Sequence, residues 1–374
     1  MKIVVIAQYN PNLFPALHRI AAAIADTGSE VHFLSSVDPK ETGVDARNVP
    51  WTGIPQAKGL AAHILWFRSN GPHVFQRLRK IQPDWIMAEH EYLVPTLAYK
   101  LLARPEAKVA AYFSDYHGDR KYLKLLKPLA GFLDAYVDVC DVRRQWRARD
   151  WPRMQARPFI IRQGPCRREN ALHTPHQGPA RIVFTGSRYV LGLDRGRPAD
   201  RSRLARFLTR LCGHGIAVDW YLPGPEDVRV AARQIMSHPL FTVRYPVEKS
   251  RLLETLEGYD VGLHWAPKAE EDHDPDYFHS AASNKIGEYI AAGLAVAHAG
   301  NPGLAYLPGD VCIVFDPTDP EAGADRLATE MSDRAEVERK REAALRYHLE
   351  DMNFEAQAEP FIRHVMEEAA ARPA

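Results

Sequence analysis

Short hydrophobic runs alternate with amphipathic segments along the first 165 residues. KIVVIA at 2–7 is apolar almost throughout, which is typical of a strand buried on both faces of a parallel sheet. The segment ALHRIAAAIADTG then has a helical period and ends at a glycine, and EVHFLSS is a second strand, so the chain opens with a predicted βαβ unit. The alternation continues with predicted helices at 73–81, 94–103 and 121–133 and predicted strands at 84–88, 108–113, 135–140 and 158–162.

The same alternation restarts after residues 166–180, a polar stretch with prolines that we interpret as a linker. The runs ARIVFTG, IAVDWYLPG, FTVRYP, DVGLHWA, LAVAHA and VCIVFDP predict strands, and residues after 318 have a helical pattern. The pattern predicts an α/β protein with two Rossmann-like, doubly wound domains facing each other across a cleft, at 1–165 and 181–345. Ligands of such sheets bind outside the carboxyl ends of the strands.

Composition and charge narrow the classes of function. The 374 residues carry a net charge of +1, which gives no overall field for nucleic acid. Four scattered cysteines form no CxxC pair, so neither a disulfide framework nor a zinc site is expected. The first apolar run is too short for a signal peptide or a membrane span, and we predict a cytoplasmic protein.

The loops after the strands argue against two common nucleotide sites. A dinucleotide-binding domain needs G-x-G-x-x-G directly after its first strand, whereas AQYNPNLFP contains no glycine. The glycines of TGSRYVLGLDRG have a different spacing, and no GxxxxGK[ST] motif of a P-loop occurs. The chain is therefore predicted to be neither an NAD-dependent dehydrogenase nor a P-loop ATPase.

The segment SNKIGEYIAAGLAVAHAG, residues 283–300, has the pattern of a helix start followed by a buried strand. The first N–H groups of a helix lack partners and suit a phosphate, and Lys285 adds a positive charge in the first turn. Glu288 lies about one turn later, where a carboxylate can accept hydrogen bonds from a ribose diol. The segment thus predicts a site for a nucleotide diphosphate, with an ordinary surface ion pair as the alternative.

SNKIGEYIAAGLAV resembles a segment of GT-B glycosyltransferases of the large retaining group called family 4 (glycosyltransferase group 1), which reads roughly N-K-x-x-E-Y-x-A-A-G-x-P-V. Four further segments resemble parts of that family and occur in the family's order, namely IIRQGP, VFTGSRY, WYLPGPED and LLETLEGYDVGLHWAP. The resemblance covers nearly the whole chain, and residues 283–296 are its specific part. It also implies that C-terminal helices, at 346–374, cross back to the N-terminal domain.

The resemblance implies transfer of a sugar from a nucleotide-diphosphate sugar, of UDP or GDP type, to an acceptor hydroxyl. Glu288 would hold the ribose, and Lys285 and Arg188 would neutralise the leaving diphosphate, so no metal or other cofactor is expected. The donor-binding candidates are Gly186, Ser187, Arg188, Tyr245, Val247, Ser283, Asn284, Lys285 and Glu288. The catalytic candidates are Asp115, His117, Arg188 and Lys285, since the family often places a histidine in the loop at 114–119.

The chain departs from the family pattern at two places. Ser280 stands where the family often has a second glutamate, and an acidic cluster at 270–276 lies just upstream, either as a supplier of that carboxylate or as a solvated loop. The first loop lacks the family's glycines. Acceptor-binding candidates are Asn10 in that loop and the polar cluster after the strand at 84–88, which comprises Glu89, His90 and Glu91.

A basic stretch offers a possible membrane partner. Residues 120–168 contain thirteen Lys or Arg against four Asp, and KYLKLLKPLAGFL interleaves lysines with apolar residues three apart. Residues 121–157 are therefore candidates for peripheral contact with an anionic inner membrane face, with an ordinary packed helix as the alternative. No motif for reading nucleic acid occurs.

The sequence and its resemblance together predict a hexosyltransferase-like glycosyltransferase, retaining and metal-independent, in bacterial surface polysaccharide or glycolipid synthesis. The open alternatives are an inverting transferase or sugar epimerase of the GT-B fold, and a non-catalytic nucleotide-sugar binding protein. The base, the sugar and the acceptor are not predicted.

Overall fold

The computed structural model describes residues 1–7, 16–35, 49–54, 70–89, 92–113, 126–162, 164–170, 178–186, 201–266 and 283–371. The chain divides into two compact units. The N-terminal unit comprises Met1–Gln163 with Phe354–Ala374, and the C-terminal unit comprises Gly164–Asn353. Each unit has one parallel β-sheet with helices, so the prediction of two doubly wound α/β domains is confirmed.

The N-terminal sheet has apolar central strands that are buried on both faces, and edge strands that are partly exposed. Its strands are β1 Lys2–Ala7, β2 Glu30–Ser35, β3 Trp51–Gly53, β4 Trp85–Glu89, β5 Lys108–Phe113, β6 Ala135–Asp138 and β7 Arg157–Ile160. They lie parallel in the order β3-β2-β1-β4-β5-β6-β7. The order reverses between β1 and β4, which makes this the switch point of the sheet.

The C-terminal sheet repeats this topology with six strands. They are β8 Arg181–Thr185, β9 Ala217–Tyr221, β10 Phe241–Arg244, β11 Val261–His264, β12 Ala295–His298 and β13 Cys312–Val314. Their spatial order is β10-β9-β8-β11-β12-β13, all parallel, which corresponds to the 3-2-1-4-5-6 order of a Rossmann sheet. The switch point here lies between β8 and β11.

The helices mostly follow the predicted positions. They are α1 Ala16–Ala25, α2 Gly71–Ile81, α3 Leu93–Leu102, α4 Asp141–Asp150, α5 Arg201–Gly213, α6 Glu226–Arg233, α7 Leu252–Leu256, α8 Asn284–Ala291, α9 Pro320–Ser332, α10 Arg334–Tyr347 and α11 Phe354–Ala370. Short 3₁₀ helices occur at Lys127–Phe132, Lys249–Arg251 and Pro302–Leu304, and a π-helical turn occurs at His348–Met352.

One predicted α-helix has a different geometry in its described part. Residues 121–125 lie outside the described residues, and Lys127–Phe132 is a 3₁₀ helix. Apolar residues three apart match the three residues per turn of a 3₁₀ helix, and Pro128 has no N–H for an α-helical bond. Leu126 is buried, whereas Phe132 is 42% exposed.

The last helix belongs to the N-terminal unit. Phe361 of α11 packs against Phe159 of β7, with ring centroids 5.3 Å apart, and His364 stacks on the same phenylalanine at 5.4 Å. The side-chain oxygen of Gln357 accepts a hydrogen bond from the backbone N–H of Arg162. These contacts hold α11 against β7 and the residue Arg162 that follows it.

The C-terminal sheet has a packed core on each face. On one face Phe207 of α5, Trp265 and Phe315 form an aromatic cluster with centroids 4.8–5.9 Å apart. On the other face, α8 buries the residues that its helical period predicts, among them Ile286 and Tyr289. The amphipathic pattern of α8 therefore determines which face of the helix packs against the sheet.

Candidate functional site

The switch point of the C-terminal sheet is marked by a glycine at the end of β8. Gly186 has a φ of +66°, a conformation that favours glycine. Its N–H donates to the carbonyl of Tyr221, and its own carbonyl accepts from the indole N–H of Trp220. The predicted donor-binding residue Gly186 thus ends β8 in a fixed turn at the edge where ligands of such sheets bind.

The helix α8 is held against this edge by Tyr289. The hydroxyl of Tyr289 accepts a hydrogen bond from the backbone N–H of Thr185 at 2.9 Å and lies 2.9 Å from the hydroxyl of the same residue. Its ring lies on Gly262 of β11, where a Cβ atom would overlap the ring. A glycine at 262 and a tyrosine at 289 therefore bring the start of α8 close to the ends of β8 and β11.

The first turn of α8 contains the residues that the sequence predicted. Ser283 is the N-cap in an extended conformation, and its side chain makes no capping hydrogen bond. Asn284 and Lys285 follow as the first two helical residues, where backbone N–H groups have no intrahelical acceptor. The positive end of the helix dipole thus lies at the switch point, together with a lysine.

Lys285 is buried, with 8% of its surface exposed. Its ammonium nitrogen lies 5.2 Å from the ring centroid of Phe184, a residue of β8. Burial lowers the pKa of Lys285 to about 7, and the negative charge of Glu288 offsets part of that effect. Because Lys285 is enclosed rather than solvated, a simple surface ion pair does not describe this segment.

Glu288 lies at the border of the protein surface, one turn after Lys285. Its side chain is 17% exposed, and one carboxylate oxygen lies 4.0 Å from the ammonium nitrogen of Lys249. Lys249 itself is in the 3₁₀ helix that precedes α7 and is largely exposed. Glu288 therefore stands where a ligand at the switch point can reach its oxygens.

The loop after β10 contains Tyr245 and Val247, two predicted donor-binding residues. Tyr245 is 60% exposed, and its hydroxyl donates to the carboxylate of Glu226 at 3.0 Å. The guanidinium of Arg229 lies 4.0 Å from the centroid of the Tyr245 ring. Hydrogen bonds from Arg233, Arg229 and Tyr245 lower the pKa of Glu226 to about 2. Val247 is half-buried.

Two histidines at the same edge were not among the predicted site residues. His264 ends β11 and His298 ends β12, and the two are register partners across the neighbouring strands. Both are buried, at 0% and 4% exposure. Burial lowers the pKa of His298 to about 4, and burial with the charges of Lys285 and His298 lowers that of His264 well below its usual range. The signal was present in the sequence, since both strands, DVGLH and LAVAH, end in histidine.

In the N-terminal unit, Glu89 ends β4 at the switch point and is completely buried. A charged pair lies at the end of β6, where Asp138 accepts two 2.9 Å hydrogen bonds from the guanidinium of Arg147. The remaining predicted site residues and the acidic cluster lie outside the described residues, namely Asn10, His90, Glu91, Asp115, His117, Ser187, Arg188, Ser280 and 270–276.

Two general features of the described residues bear on the predictions. They contain no group of three or more His, Cys, Asp or Glu side chains placed to hold a metal ion. They also contain no helix of the length and apolar character needed to cross a membrane.

Solved structures match this chain over almost its entire length. A glycosyltransferase from Rickettsia africae ESF-5 has a TM-score of 0.73 and 12% identity, with 99% of each chain covered. HepE from Anabaena, solved with UDP and glucose, has a TM-score of 0.67 and 13% identity over 100% of both chains. A candidate UDP-N-acetylglucosamine 2-epimerase from Listeria monocytogenes has a TM-score of 0.60 and 11% identity over 100% of this chain and 98% of that one.

Sequence comparison adds no relative to these structures. No protein-family model matches the chain, and no curated protein sequence matches it. Identities of 11–13% show a shared fold rather than a shared activity. Two parallel sheets with Rossmann topology and full-length similarity to these proteins lead to one conclusion: the chain has the GT-B fold of glycosyltransferases, as the resemblance of residues 283–296 predicted.

Proposed function

We propose that this protein is a glycosyltransferase that moves a sugar from a nucleotide-diphosphate sugar to an acceptor hydroxyl. The observation that carries the proposal is the first turn of α8, which brings Lys285 and Glu288 to the switch point of the C-terminal sheet. Structural neighbours support it, since one is a glycosyltransferase and another was solved with UDP and glucose.

The proposed chemistry follows from charge. When the bond between the sugar and the diphosphate breaks, negative charge grows on the leaving diphosphate, and fixed positive charge lowers the energy of that transition state. The first N–H groups of α8 and the amine of Lys285 lie at this point, and Arg188 is proposed to add positive charge to it. With these groups on the diphosphate, we propose a metal-independent reaction.

Glu288 is proposed to hold the ribose of the donor. Its partly exposed carboxylate can accept hydrogen bonds from the two ribose hydroxyls, and the ammonium nitrogen of Lys249 lies 4.0 Å away. Tyr245 and Val247 are proposed to contact the base, and Gly186, Ser187, Ser283 and Asn284 the rest of the donor. We assign donor binding to the C-terminal unit on these grounds.

Acceptor binding is proposed for the N-terminal unit, with Asn10, Glu89, His90 and Glu91 as binding residues and Asp115 and His117 near the reacting sugar. Glu89 is the one of these that the structure describes, and its buried position at the end of β4 suits a residue that holds others in place. Retention of configuration and a role in surface polysaccharide or glycolipid synthesis inside the cell are part of the same proposal.

The first experiment is a thermal-shift panel of nucleotide sugars and their nucleoside diphosphates, because a ligand that binds the folded state raises its melting temperature. Glu288→Ala is expected to lose most of the shift given by the best ligand. Glu254→Ala is the matched control, since Glu254 is a strongly exposed glutamate on the adjacent α7. Equal shifts for wild type and Glu288→Ala would mean that Glu288 does not bind the donor.

A sugar epimerase is the second candidate, because a structural neighbour is a candidate UDP-N-acetylglucosamine 2-epimerase. Incubation with the best nucleotide sugar separates the candidates. A transferase slowly releases nucleoside diphosphate and free sugar, whose anomeric configuration gives retention or inversion. An epimerase instead yields an isomeric nucleotide sugar, and a binding protein gives a thermal shift with no product.

Peripheral membrane contact is proposed through residues 121–157. In the described part of this stretch, Lys127, Arg149 and Arg153 are exposed together with Phe132, whereas Arg143 and Arg147 are buried. Cosedimentation with vesicles of phosphatidylglycerol and phosphatidylcholine is expected to exceed that with phosphatidylcholine alone. The triple variant Lys127→Glu, Arg149→Glu and Arg153→Glu should lose this difference, while Arg363→Glu, an exposed arginine of α11, should keep it.

A further inference from the structure

Three basic side chains meet beside the first turn of α8. His264 and His298 are register partners at the ends of β11 and β12, so both side chains leave the sheet on the same face. Lys285 approaches from α8 and acts electrostatically on His264, as does His298. All three are at least nine-tenths buried. We call these residues the basic pocket.

Three of the four histidine ring nitrogens in the basic pocket lack a hydrogen-bond partner among the described residues. Within the described part of the chain, both ring nitrogens of His264 lack a hydrogen-bond partner. The Nδ1 atom of His298 lacks one there as well. Buried polar atoms are nearly always hydrogen-bonded in native proteins, so exceptions often mark a place where a ligand or an ion completes the structure. Two such histidines on adjacent strands strengthen the inference that a ligand binds here.

His18 of α1 provides a comparison. It is also buried with both ring nitrogens unpaired among the described residues, but its ring lies 4.0 Å from that of Phe33. Burial alone lowers its pKa, with no charged neighbour involved. His18 is thus explained by apolar packing, whereas the charge of Lys285 acts on His264, and His298 is the register partner of His264.

The basic pocket is short of negative charge. Among the described groups, the carboxylate that acts on Lys285 is Glu288, which also lies 4.0 Å from Lys249. The other charged or titratable groups on elements packed against α8 include Arg341 and Glu338 of α10, which pair with each other, His348, Glu350 and Asp351 of the π-helical turn, and Glu254 of α7. None of these is among the charges that act on His264, Lys285 or His298, so a bound anion would supply further negative charge to the pocket.

We propose that Lys285 and His298 bind the diphosphate of the donor, that His264 between them is a positioning residue, and that the basic pocket takes up one proton as the diphosphate binds. The proposal rests on the nucleotide-diphosphate site proposed above. Lys285 and His298 keep a small exposed fraction that a ligand can reach, whereas His264 is fully enclosed and acts through them. The proton comes from solvent and is held by the amine of Lys285.

Isothermal titration calorimetry with UDP and with GDP tests the proton uptake. Titrations at pH 8 in two buffers of different ionisation enthalpy give the number of protons bound with the ligand. For an amine with a pKa of about 7 in the free protein, we expect nearly one proton at pH 8 and about half a proton at pH 7. Affinity should then fall about tenfold per pH unit between pH 8 and 9.

Variants of the two histidines test their roles. His298→Leu is expected to weaken binding of the diphosphate at least tenfold and to leave the weaker binding of the matching monophosphate, UMP or GMP, unchanged. His264→Leu makes the surroundings of Lys285 more apolar, so the midpoint of the affinity profile should move below pH 7, and His264→Gln should restore it towards the wild-type value. His18→Leu is the control that changes neither property.

The outcomes are separable. Binding of UDP or GDP with no proton uptake at pH 8 overturns the proposal and leaves the donor site standing. The proposal is also overturned if the His298→Leu variant favours the diphosphate over the monophosphate as strongly as the wild type does. If that variant does not fold, His298→Gln takes its place. If neither nucleotide nor any other diphosphate of the thermal-shift panel binds the wild type, both the donor site and this proposal are wrong.

Discussion

Buried charged side chains are arranged differently at the carboxyl ends of the two sheets. At the end of β6 in the N-terminal unit, Asp138 and Arg147 form a fork with two hydrogen bonds of 2.9 Å, and the guanidinium lies 3.4 Å from the centroid of the Phe113 ring. At the ends of β11 and β12 in the C-terminal unit, the buried Lys285 acts on the buried His264, whose register partner is His298. The first edge pairs a cation directly with an anion, whereas the second gathers basic side chains.

The contrast is not a general property of the C-terminal unit, because its buried acids are paired. Asp219 accepts hydrogen bonds from Arg181 and from Tyr259, and Asp260 accepts one from Arg334. These buried acids are thus paired with cations, whereas three ring nitrogens of His264 and His298 at the switch point have no hydrogen-bond partner among the described residues. Groups that reduce stability tend to persist where function requires them, which links the electrostatics of this edge to ligand binding.

The largest expected effect is the loss of the buried pair in the N-terminal unit. Arg147→Met leaves Asp138 buried without its cation and should reduce the free energy of unfolding by about 3–5 kcal/mol. Urea unfolding measures the change, and hydrogen exchange in β6 assigns it to the N-terminal unit. Adding Asp138→Leu to Arg147→Met should recover most of the loss, since it removes the unpaired charge. A cost below about 1 kcal/mol for Arg147→Met would contradict the comparison.

The matching change at the other edge should have the opposite sign. Lys285→Met keeps an unbranched side chain and removes a buried amine whose pKa is about 7 in the folded protein and ordinarily 10.5. Below pH 7 the amine is protonated in both the folded and the unfolded wild type, and folding must bury that charge, so we expect the variant to be more stable by several kcal/mol there. Its binding of nucleoside diphosphate should fall at least 100-fold.

The pH dependence of that difference follows from the same two pKa values. Between pH 7 and 10.5 the unfolded chain binds more protons at Lys285 than the folded one, so wild-type stability rises with pH. The advantage of Lys285→Met should therefore be largest at pH 7 and below and should shrink towards pH 10.5. Melting temperatures at pH 6, 8 and 9.5 measure this trend. A difference that is constant across the range would mean that Lys285 is not the group involved.

Much of the fold followed from periodicity, and the exceptions have physical causes. Continuous apolar strands and glycine-ended helices predicted both sheets, because parallel strands are buried on both faces. The helix α4 was not predicted, since DVRRQWRARD has no apolar stripe and buries Arg143 and Arg147 instead. The three-residue strand β3 and the eight-residue α6 were also missed, because each is shorter than the window over which a period is recognised.

The candidate site was predictable in part. The helical period placed Lys285 and Glu288 at a helix start, which α8 bears out in position. Burial of Lys285 did not follow from the sequence, because it depends on how Tyr289 lies on Gly262 and draws the helix onto the sheet. The pairing of His264 with His298 depends on strand register, which a single sequence does not specify.

A smaller effect is expected from the hydrogen bonds that hold α8 in place. Tyr289→Phe removes the acceptor of the Thr185 N–H and should cost about 1–2 kcal/mol of unfolding free energy. Nucleoside diphosphate should bind a few-fold more weakly, because the first turn of α8 loses its tie to β8. Tyr347→Phe is the control, since the Tyr347 hydroxyl lies 3.4 Å from its acceptor, the carbonyl of Tyr306. If both variants lost equal amounts of stability and of affinity for nucleoside diphosphate, Tyr289 would have no particular role in the site.

The smallest effect separates backbone strain from a role in the site. Gly186 ends β8 at the switch point with a φ of +66°, and Gly215 lies in the turn between α5 and β9 with a φ of +80°. A Cβ atom at either position would meet no described atom within 4 Å, so each change to alanine introduces strain of about 1 kcal/mol and little else.

Gly186→Ala and Gly215→Ala should therefore lower the melting temperature by similar amounts. Only Gly186→Ala should also weaken binding of nucleoside diphosphate, because its backbone lies at the edge where the donor is proposed to bind and a shift of that turn moves the end of β8. Calorimetry on both variants measures the difference. If the two variants bound nucleoside diphosphate with identical affinity, the bound phosphates would lie away from the end of β8. The difference between the two sheets would then concern the ends of β11 and β12.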